Sequence, residues 1–328
     1  MAVPLAVSMG DPAGIGPEIA AKAWAARDDE RLSPFAMIGD PAALRAVWGG
    51  PVEVVASLSD AAAVFARALP VLAVGEAGPV QPGAPTEAGA RAALLALARA
   101  TDLVLDGAAR ALVTGPVAKA QLYAIGFDAP GQTEYVADRC GMARADAVMM
   151  LAGPTLRVVP ITGHVPLADV PRLLTRGLIV AKGRATAAGL ARDFGIAAPR
   201  LAFAGLNPHA GESGTIGGEE IAAMVPAIAT LRDEGIDAHG PFAADTLFHP
   251  RARARWDAIL CPYHDQALIP LKTIHFDEGV NITLGLPIVR TSPDHGTAFG
   301  IAGQNAADPG AMIAAIRMSD EAAARRAA

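Results

Sequence analysis

The sequence predicts an α/β protein with a largely parallel sheet and some antiparallel additions. Three observations carry that prediction. Short apolar runs of strand length alternate with longer, Ala-rich segments of helical periodicity along all 328 residues. Polar, Gly-rich segments follow several of the predicted strands directly, as they do where an α/β sheet collects ligands beyond the carboxyl ends of its strands. No internal repeat or low-complexity linker interrupts this alternation. A single cleft assembled from loops distant in sequence is the expected site.

The elements read in order as follows. Leu5–Ser8 is a first strand, followed by a Gly/Pro loop and a helix from about Pro17, where proline suits a first turn. Phe35–Gly39 is a second strand, and Asp40-Pro41 caps the helix after it. Thr86–Leu105 is a long amphipathic helix, and Ala111–Thr114 a buried strand ending at Gly115-Pro116. Ala147–Leu151 and Leu156–Thr162 are close enough to form a hairpin. Leu201–Leu206 is another buried strand, Glu219–Glu234 a helix and Ala258–Cys261 a strand. Val280–Leu284 and Pro287–Thr291 read as a second hairpin, and Pro309–Arg325 as a closing helix.

Composition narrows the function. Hydrophobic residues make up 52% of the chain, but no uninterrupted apolar stretch is long enough for a membrane span. The start, Met1-Ala2-Val3-Pro4-Leu5, lacks the basic region of a signal peptide. Two distant cysteines, Cys140 and Cys261, give no disulfide framework, so a reducing cytoplasm is the expected location. A net charge of −6 without a basic run argues against a nucleic-acid partner. Lysine occurs only at positions 22, 119, 182 and 272, whereas arginine is abundant. Lysines kept in such a background are candidates for positions that need a compact ammonium.

The motifs carry the chemistry. Gly10-Asp11-Pro12-Ala13-Gly14-Ile15-Gly16-Pro17-Glu18 joins the first strand to the first helix but fails the G-x-G-x-x-G test, since no third glycine follows. It reads as a tight turn, or as an anion site at a helix N-terminus. His164, His209 and His264 each follow a predicted strand. Singly each reads as a capping or core residue; together they read as a discontinuous ligand set for one divalent cation. Asp265 and Asp245 are carboxylates able to orient or join that set. His295 reads either as a site residue or as the support of a turn, and His239, His249 and His275 as solvated loop residues. Gly131-Gln132-Thr133-Glu134 offers donors for a phosphate or carboxylate, or is an ordinary helix start. Lys119, at a helix start, meets a substrate anion or solvent. Lys272, Asn281 and Arg290 together supply charge and directional hydrogen bonds for a phosphate monoester, or decorate a surface hairpin. The loop 211–220 lacks the ending of a P-loop.

Taken in order, GDPAGIGPE at 10–18, TGPVAK at 114–119, GQTE at 131–134, TGHVPL at 162–167, LNPHAGE at 206–212, ADTLF at 244–248, YHDQ at 263–266, and GVNITLGLP with RTSPDHGTA through 298 resemble the 4-hydroxythreonine-4-phosphate dehydrogenase family over nearly the whole chain. The resemblance implies a fold similar to isocitrate and isopropylmalate dehydrogenases: two α/β subdomains flanking a cleft, here 1–130 plus 295–328 and 131–294. It implies NAD or NADP bound without the Rossmann fingerprint, and one divalent ion (Zn, Co or Mg) on His164, His209 and His264. Three imidazoles favour zinc over magnesium. It carries the substrate positions onto Gln132, Thr133, Lys272, Asn281 and Arg290; beside them, Asp245 is a candidate to assist proton transfer or to bind the amine. It also implies a homodimer whose active site is shared between subunits. The expected reaction is oxidation and decarboxylation of 4-phosphohydroxy-L-threonine to 3-amino-2-oxopropyl phosphate in pyridoxal 5'-phosphate biosynthesis. Related dehydrogenases take unphosphorylated hydroxy acids or cis-dihydrodiols, and a metal-independent acyl-phosphate transferase is the rival from another class. One departure stands out: the family motif commonly reads Gly-His-Thr-Glu, and Gln132 replaces that His with a side chain that cannot become cationic.

Overall fold

A computed structural model describes residues 3–328. The chain opens with β1 (Leu5–Ser8), α1 (Gly16–Ala25), β2 (Phe35–Gly39), α2 (Pro41–Val47), β3 (Val52–Val55), the short α3 (Ala61–Val64), β4 (Leu69–Ala73), α4 (Glu87–Leu105), β5 (Leu112–Thr114), α5 (Lys119–Ala124) and α6 (Gln132–Arg139). Its middle contains β6 (Val148–Gly153), β7 (Leu156–Pro160), α7 (Val170–Leu173), α8 (Arg176–Phe194), β8 (Leu201–Ala204), α9 (Val225–Asp233), β9 (Ala238–Phe242), α10 (Pro250–Arg253), β10 (Ala258–Cys261), α11 (His264–Ile274) and β11 (Val280–Leu284). It closes with β12 (Arg290–Pro293) and α12 (Gly310–Ala327).

Packing divides the chain into two units. The first takes the residues up to Arg144 together with Leu286–Ala327, and the second takes Ala145–Gly285. These boundaries differ from the 130 and 294 of the sequence reading. Helix α6 packs on α4, and β12 pairs in register with β5, so Gln132, Thr133 and Arg290 all belong to the first unit.

In the first unit, six parallel strands lie in the order β3-β4-β2-β1-β5-β12. The central strands are buried on both faces, which is why LAVS, FAMIG and LVT read as continuous apolar runs instead of alternating. From β1 the chain extends to one side through β2 and to the other through β5, so the order reverses beside β1. The crevice beyond the carboxyl ends at such a reversal is where α/β sheets bind ligands. The loops after β1, β5 and β12 meet there: Asp11 N–H donates to Pro116 O at 2.9 Å, and Ile15 N–H to Thr297 O at 3.0 Å.

Gly10 makes that meeting possible. Its φ is +75°, and a Cβ there would overlap the Pro116 carbonyl. A Gly10→Ala variant is expected to lose roughly 1–3 kcal/mol of stability through backbone strain. Denaturant unfolding with an unchanged m-value checks it. Elsewhere the local chemistry follows the sequence. Asp40 caps α2 by accepting from Ala42 N at 2.8 Å, and Thr86 caps α4 by accepting from Gly89 N at 3.1 Å. Lys22 bonds Glu18 at 2.9 Å and the carbonyls of Asn305 and Ala307 at 3.0 and 2.7 Å, so one ammonium ties the returning segment to α1.

In the second unit the order is β11-β6-β7-β10-β8-β9. β11, β6 and β7 pair antiparallel in turn, and β7, β10, β8 and β9 run parallel. Leu151, Val158, Ala202, Ile259 and Leu271 lie in its apolar core. The hairpin expected at 147–162 forms. The second expected hairpin is different: β11 pairs antiparallel with β6, whereas the next strand starts at Arg290 and runs parallel to β5. Pro287, which has no N–H to give a ladder, lies ahead of that strand. The helix expected at 219–234 is a π-helical turn, Glu220–Met224, leading into α9 near Pro226.

Candidate active site

The first unit holds a buried cation at the end of its sheet. Arg290, 2% exposed, donates from Nη2 to Thr114 Oγ1 at 2.6 Å and from Nη1 to Thr133 Oγ1 at 3.2 Å. Burial pushes its guanidinium down to about 10, and nearby Glu134 offsets part of that cost. The group still carries its full charge at neutral pH, in a place where an anion repays desolvation. Gln132, one residue away, donates from Nε2 to Gly115 O at 3.1 Å, which leaves its buried Oε1 without a hydrogen-bond partner among the described residues. The carbonyl of Gly115 can only accept, so the amide orientation is fixed. Asp11, 2% exposed, lies in the loop after β1; burial raises its pKa, against the lowering effect of the Ala13 N–H. In the loop after β12, His295 Nδ1 lies 3.0 Å from Gly296 O, and its Nε2 is buried without a hydrogen-bond partner among the described residues.

The second unit presents the histidines. β7 and β10 pair with Pro160 beside Cys261, and the parallel contact continues past their ends through Thr162 N and Oγ1 to Pro262 O. His164 and His264 follow directly, and their ring centres lie 5.0 Å apart. Two imidazoles on one tetrahedral ion place their ring centres about 5 Å apart, given metal–nitrogen bonds near 2 Å. His264 Nδ1 is 2.7 Å from Asp265 Oδ1, and an Nδ1–H donating to that carboxylate leaves Nε2 unprotonated, its lone pair available to a metal. This pair of imidazoles therefore fits a divalent ion.

His209 follows β8 on a loop of unusual backbone. His209, Ala210, Gly211, Glu212 and Ser213 are all left-handed, with φ of 51°, 53°, 81°, 41° and 56°. For L-residues such runs cost roughly 1–2 kcal/mol per residue, and only glycine escapes. Within the single chain, no group of three or more His, Cys, Asp or Glu among the described residues is arranged to hold a metal.

Lys272, Asn281 and Asp245 also lie in the second unit. Helix α11 lines up His264, Asp265, Leu268, Ile269, Lys272 and Thr273 along one concavity of about 420 Å³, as residues at i, i+4 and i+8 share a face. Asn281 is half-buried on β11 opposite Leu151, and its Oδ1 is buried without a hydrogen-bond partner among the described residues. Asp245 is exposed on the turn Ala244–Thr246. Sequence reasoning missed Thr114 as the partner of Arg290, although a polar residue closing a buried strand before Gly-Pro was visible. It also missed the side chains that hold the 209–213 turn, because no local pattern joins Asn207 to Glu220.

Residues 31–319 match the family model of the pyridoxal phosphate biosynthetic protein PdxA. The chain belongs to the PdxA family. This PdxA protein is 57% identical to the 4-hydroxythreonine-4-phosphate dehydrogenase of Zymomonas mobilis, over 99% of this chain and 97% of that one. A crystal structure of 4-hydroxythreonine-4-phosphate dehydrogenase from Klebsiella pneumoniae superposes with a TM-score of 0.86 at 34% identity, covering 98% and 100% of the two chains. A terephthalate 1,2-cis-dihydrodiol dehydrogenase from Burkholderia xenovorans gives 0.65 at 30%, covering 97% and 98%. The PdxA protein is thus an oxidoreductase, and its α/β architecture is that of its relatives. No helix of the described residues is long and apolar enough to cross a membrane.

Proposed function

We propose that this PdxA protein oxidises 4-phosphohydroxy-L-threonine with NAD, assisted by a divalent metal, and yields 3-amino-2-oxopropyl phosphate after decarboxylation. The observation that carries this reading is buried Arg290, held by Thr114 and Thr133 at the reversal point of the first sheet. A guanidinium desolvated in that way favours a phosphate, whose oxygens match its planar donors. Thr133 and Arg290 bind the phosphate in this scheme, and Lys272 and Asn281 are the second unit's candidate substrate residues.

The oxidation moves a hydride from the carbinol carbon to NAD and the hydroxyl proton to a base, for which Asp245 is the candidate. The resulting β-keto acid loses CO2, and the electron pair of the broken bond passes into the adjacent carbonyl system as an enolate, which is then protonated. A bound divalent ion supplies Lewis acidity that lowers the hydroxyl pKa and steadies the enolate charge. His164, His209 and His264 are the residues that would hold it, and Asp265 sets the orientation of His264. Since one chain joins two of these imidazoles, a homodimer that delivers the third from a second copy completes the set. The loops at the reversal point, with the buried Nε2 of His295, are the residues that would hold the dinucleotide.

The experiment is a substrate panel followed by NADH absorbance. Turnover is expected with 4-phosphohydroxy-L-threonine and at least 100-fold less with its unphosphorylated form, in line with the loss of charged hydrogen bonds. Equal rates on both, or preference for a cis-dihydrodiol, would overturn the phosphate reading.

A further inference from the structure

The left-handed turn that carries His209 is held from one side by a buried carboxylate outside the site. Glu220 is 2% exposed and begins the π-helical turn Glu220–Met224. Its Oε1 accepts from the backbone N–H of Asn207 at 2.7 Å, and its Oε2 from Asn207 Nδ2 at 3.0 Å. Glu219 Oε2 accepts from the same Nδ2 at 2.8 Å. The fit is close on every side. A Cβ on Gly205 would lie 2.7 Å from Ala210 Cα, one on Gly211 would lie 2.7 Å from Glu220 Oε2, and one on Gly217 would overlap Asn207 Nδ2. The turn is therefore folded back on the end of β8 and seated against Glu220.

Left-handed runs persist only where the surroundings over-determine them. Around 207–213 the tertiary bonds that involve a side chain join Asn207 to Glu219 and Glu220; the others are local, such as Ala210 N to Asn207 O at 3.1 Å, Ile216 N to Gly211 O at 3.2 Å and Thr215 Oγ1 to Glu212 O at 2.8 Å. We propose that Glu220 is a positioning residue whose clamp on Asn207 holds the left-handed turn and so sets His209 in place for the divalent metal. The inference rests on the metal reading above and adds to it the device that presents one ligand. Glu220 itself faces Asn207 and Gly211, not the ion.

The test compares wild-type protein with Glu220→Gln, Gly217→Ala and His209→Ala as full-length chains. Zn²⁺ affinity is measured by competition with a chromophoric chelator, and amide hydrogen exchange is followed over 207–216. Glu220→Gln places a donor where the Asn207 amide also donates, so one acceptor of the clamp is lost. Zn²⁺ affinity is expected to fall roughly 10- to 100-fold, the range for residues that orient a metal ligand. Exchange over 210–216 is expected to speed up while circular dichroism stays native. Gly217→Ala, which displaces Asn207 from the opposite side, is expected to act in the same direction and serves if Glu220→Gln does not fold. Adding Ala210→Gly to Glu220→Gln, where glycine takes the left-handed conformation at no steric cost, is expected to recover part of the affinity. A merely structural carboxylate would not give that rescue. Unchanged affinity and exchange in both clamp variants, beside a loss in His209→Ala, overturn the clamp alone. Indifference of Zn²⁺ binding to His209→Ala overturns the metal reading, and the clamp's role with it.

Discussion

Replacing Arg290 with Ala is expected to raise KM for a phosphorylated substrate roughly 10- to 100-fold, the cost of losing charged hydrogen bonds to one ligand group. Turnover of an unphosphorylated analogue should change far less. The size of the effect follows from where the guanidinium sits. It extends from the first residue of β12 to Thr114 at the end of β5, keeps its geometry through Thr114 and Thr133, and has been pushed down to about 10 by desolvation. Such a cation is preorganised for an anion. Arg290→Lys keeps the charge but loses the planar fork, so it should recover only part of the loss. Steady-state kinetics on both substrates decide the matter, with a thermal melt to show that the variant is folded. If KM rises equally for both substrates, Arg290 supports the fold and not the phosphate.

The second large effect is expected at the imidazole pair. His264→Ala should abolish turnover at micromolar metal and leave the purified protein without bound zinc, because a pair of imidazoles with ring centres 5.0 Å apart is reduced to one. Asp265→Ala should be milder, with metal affinity reduced roughly 10- to 100-fold, since Nδ1 of His264 loses the carboxylate that fixes its orientation. Metal content after gel filtration, read by emission spectroscopy, checks both. Full zinc occupancy in His264→Ala would remove that residue from the ligand set.

Much of this was legible before any coordinates. The buried parallel strands announced themselves as short apolar runs, and the caps at Asp40 and Thr86 are local chemistry that a sequence displays. His164 and His264 could be placed at strand ends, but their 5.0 Å approach depends on β7 lying beside β10, a pairing of segments a hundred residues apart. Long-range register is what periodicity omits. Helix α11 escaped notice because Pro270 interrupts its pattern, although the helix runs through it from His264 to Ile274. The edge strand β9 was hidden for a related reason: His239, Gly240 and Pro241 make a poor strand by propensity, tolerable at a sheet edge. The assignment of Arg290 to the first unit was missed because Val280–Leu284 and the following segment look like one hairpin, yet take their register from β6 and β5.

The placement of β12 has a consequence for how the polypeptide matures on the ribosome. The second unit is one uninterrupted stretch, Ala145–Gly285, whereas in the first the residue that begins covering the open side of β5, Arg290, comes 176 positions after Thr114. Synthesis runs at about 5–20 residues per second, so that bare flank waits roughly 10–35 s for its mate. During that interval Leu112–Thr114 offers unpaired backbone groups to any passing strand. A chain cut before residue 290 is therefore expected to aggregate more readily than the full-length protein, as sedimentation of the two would show.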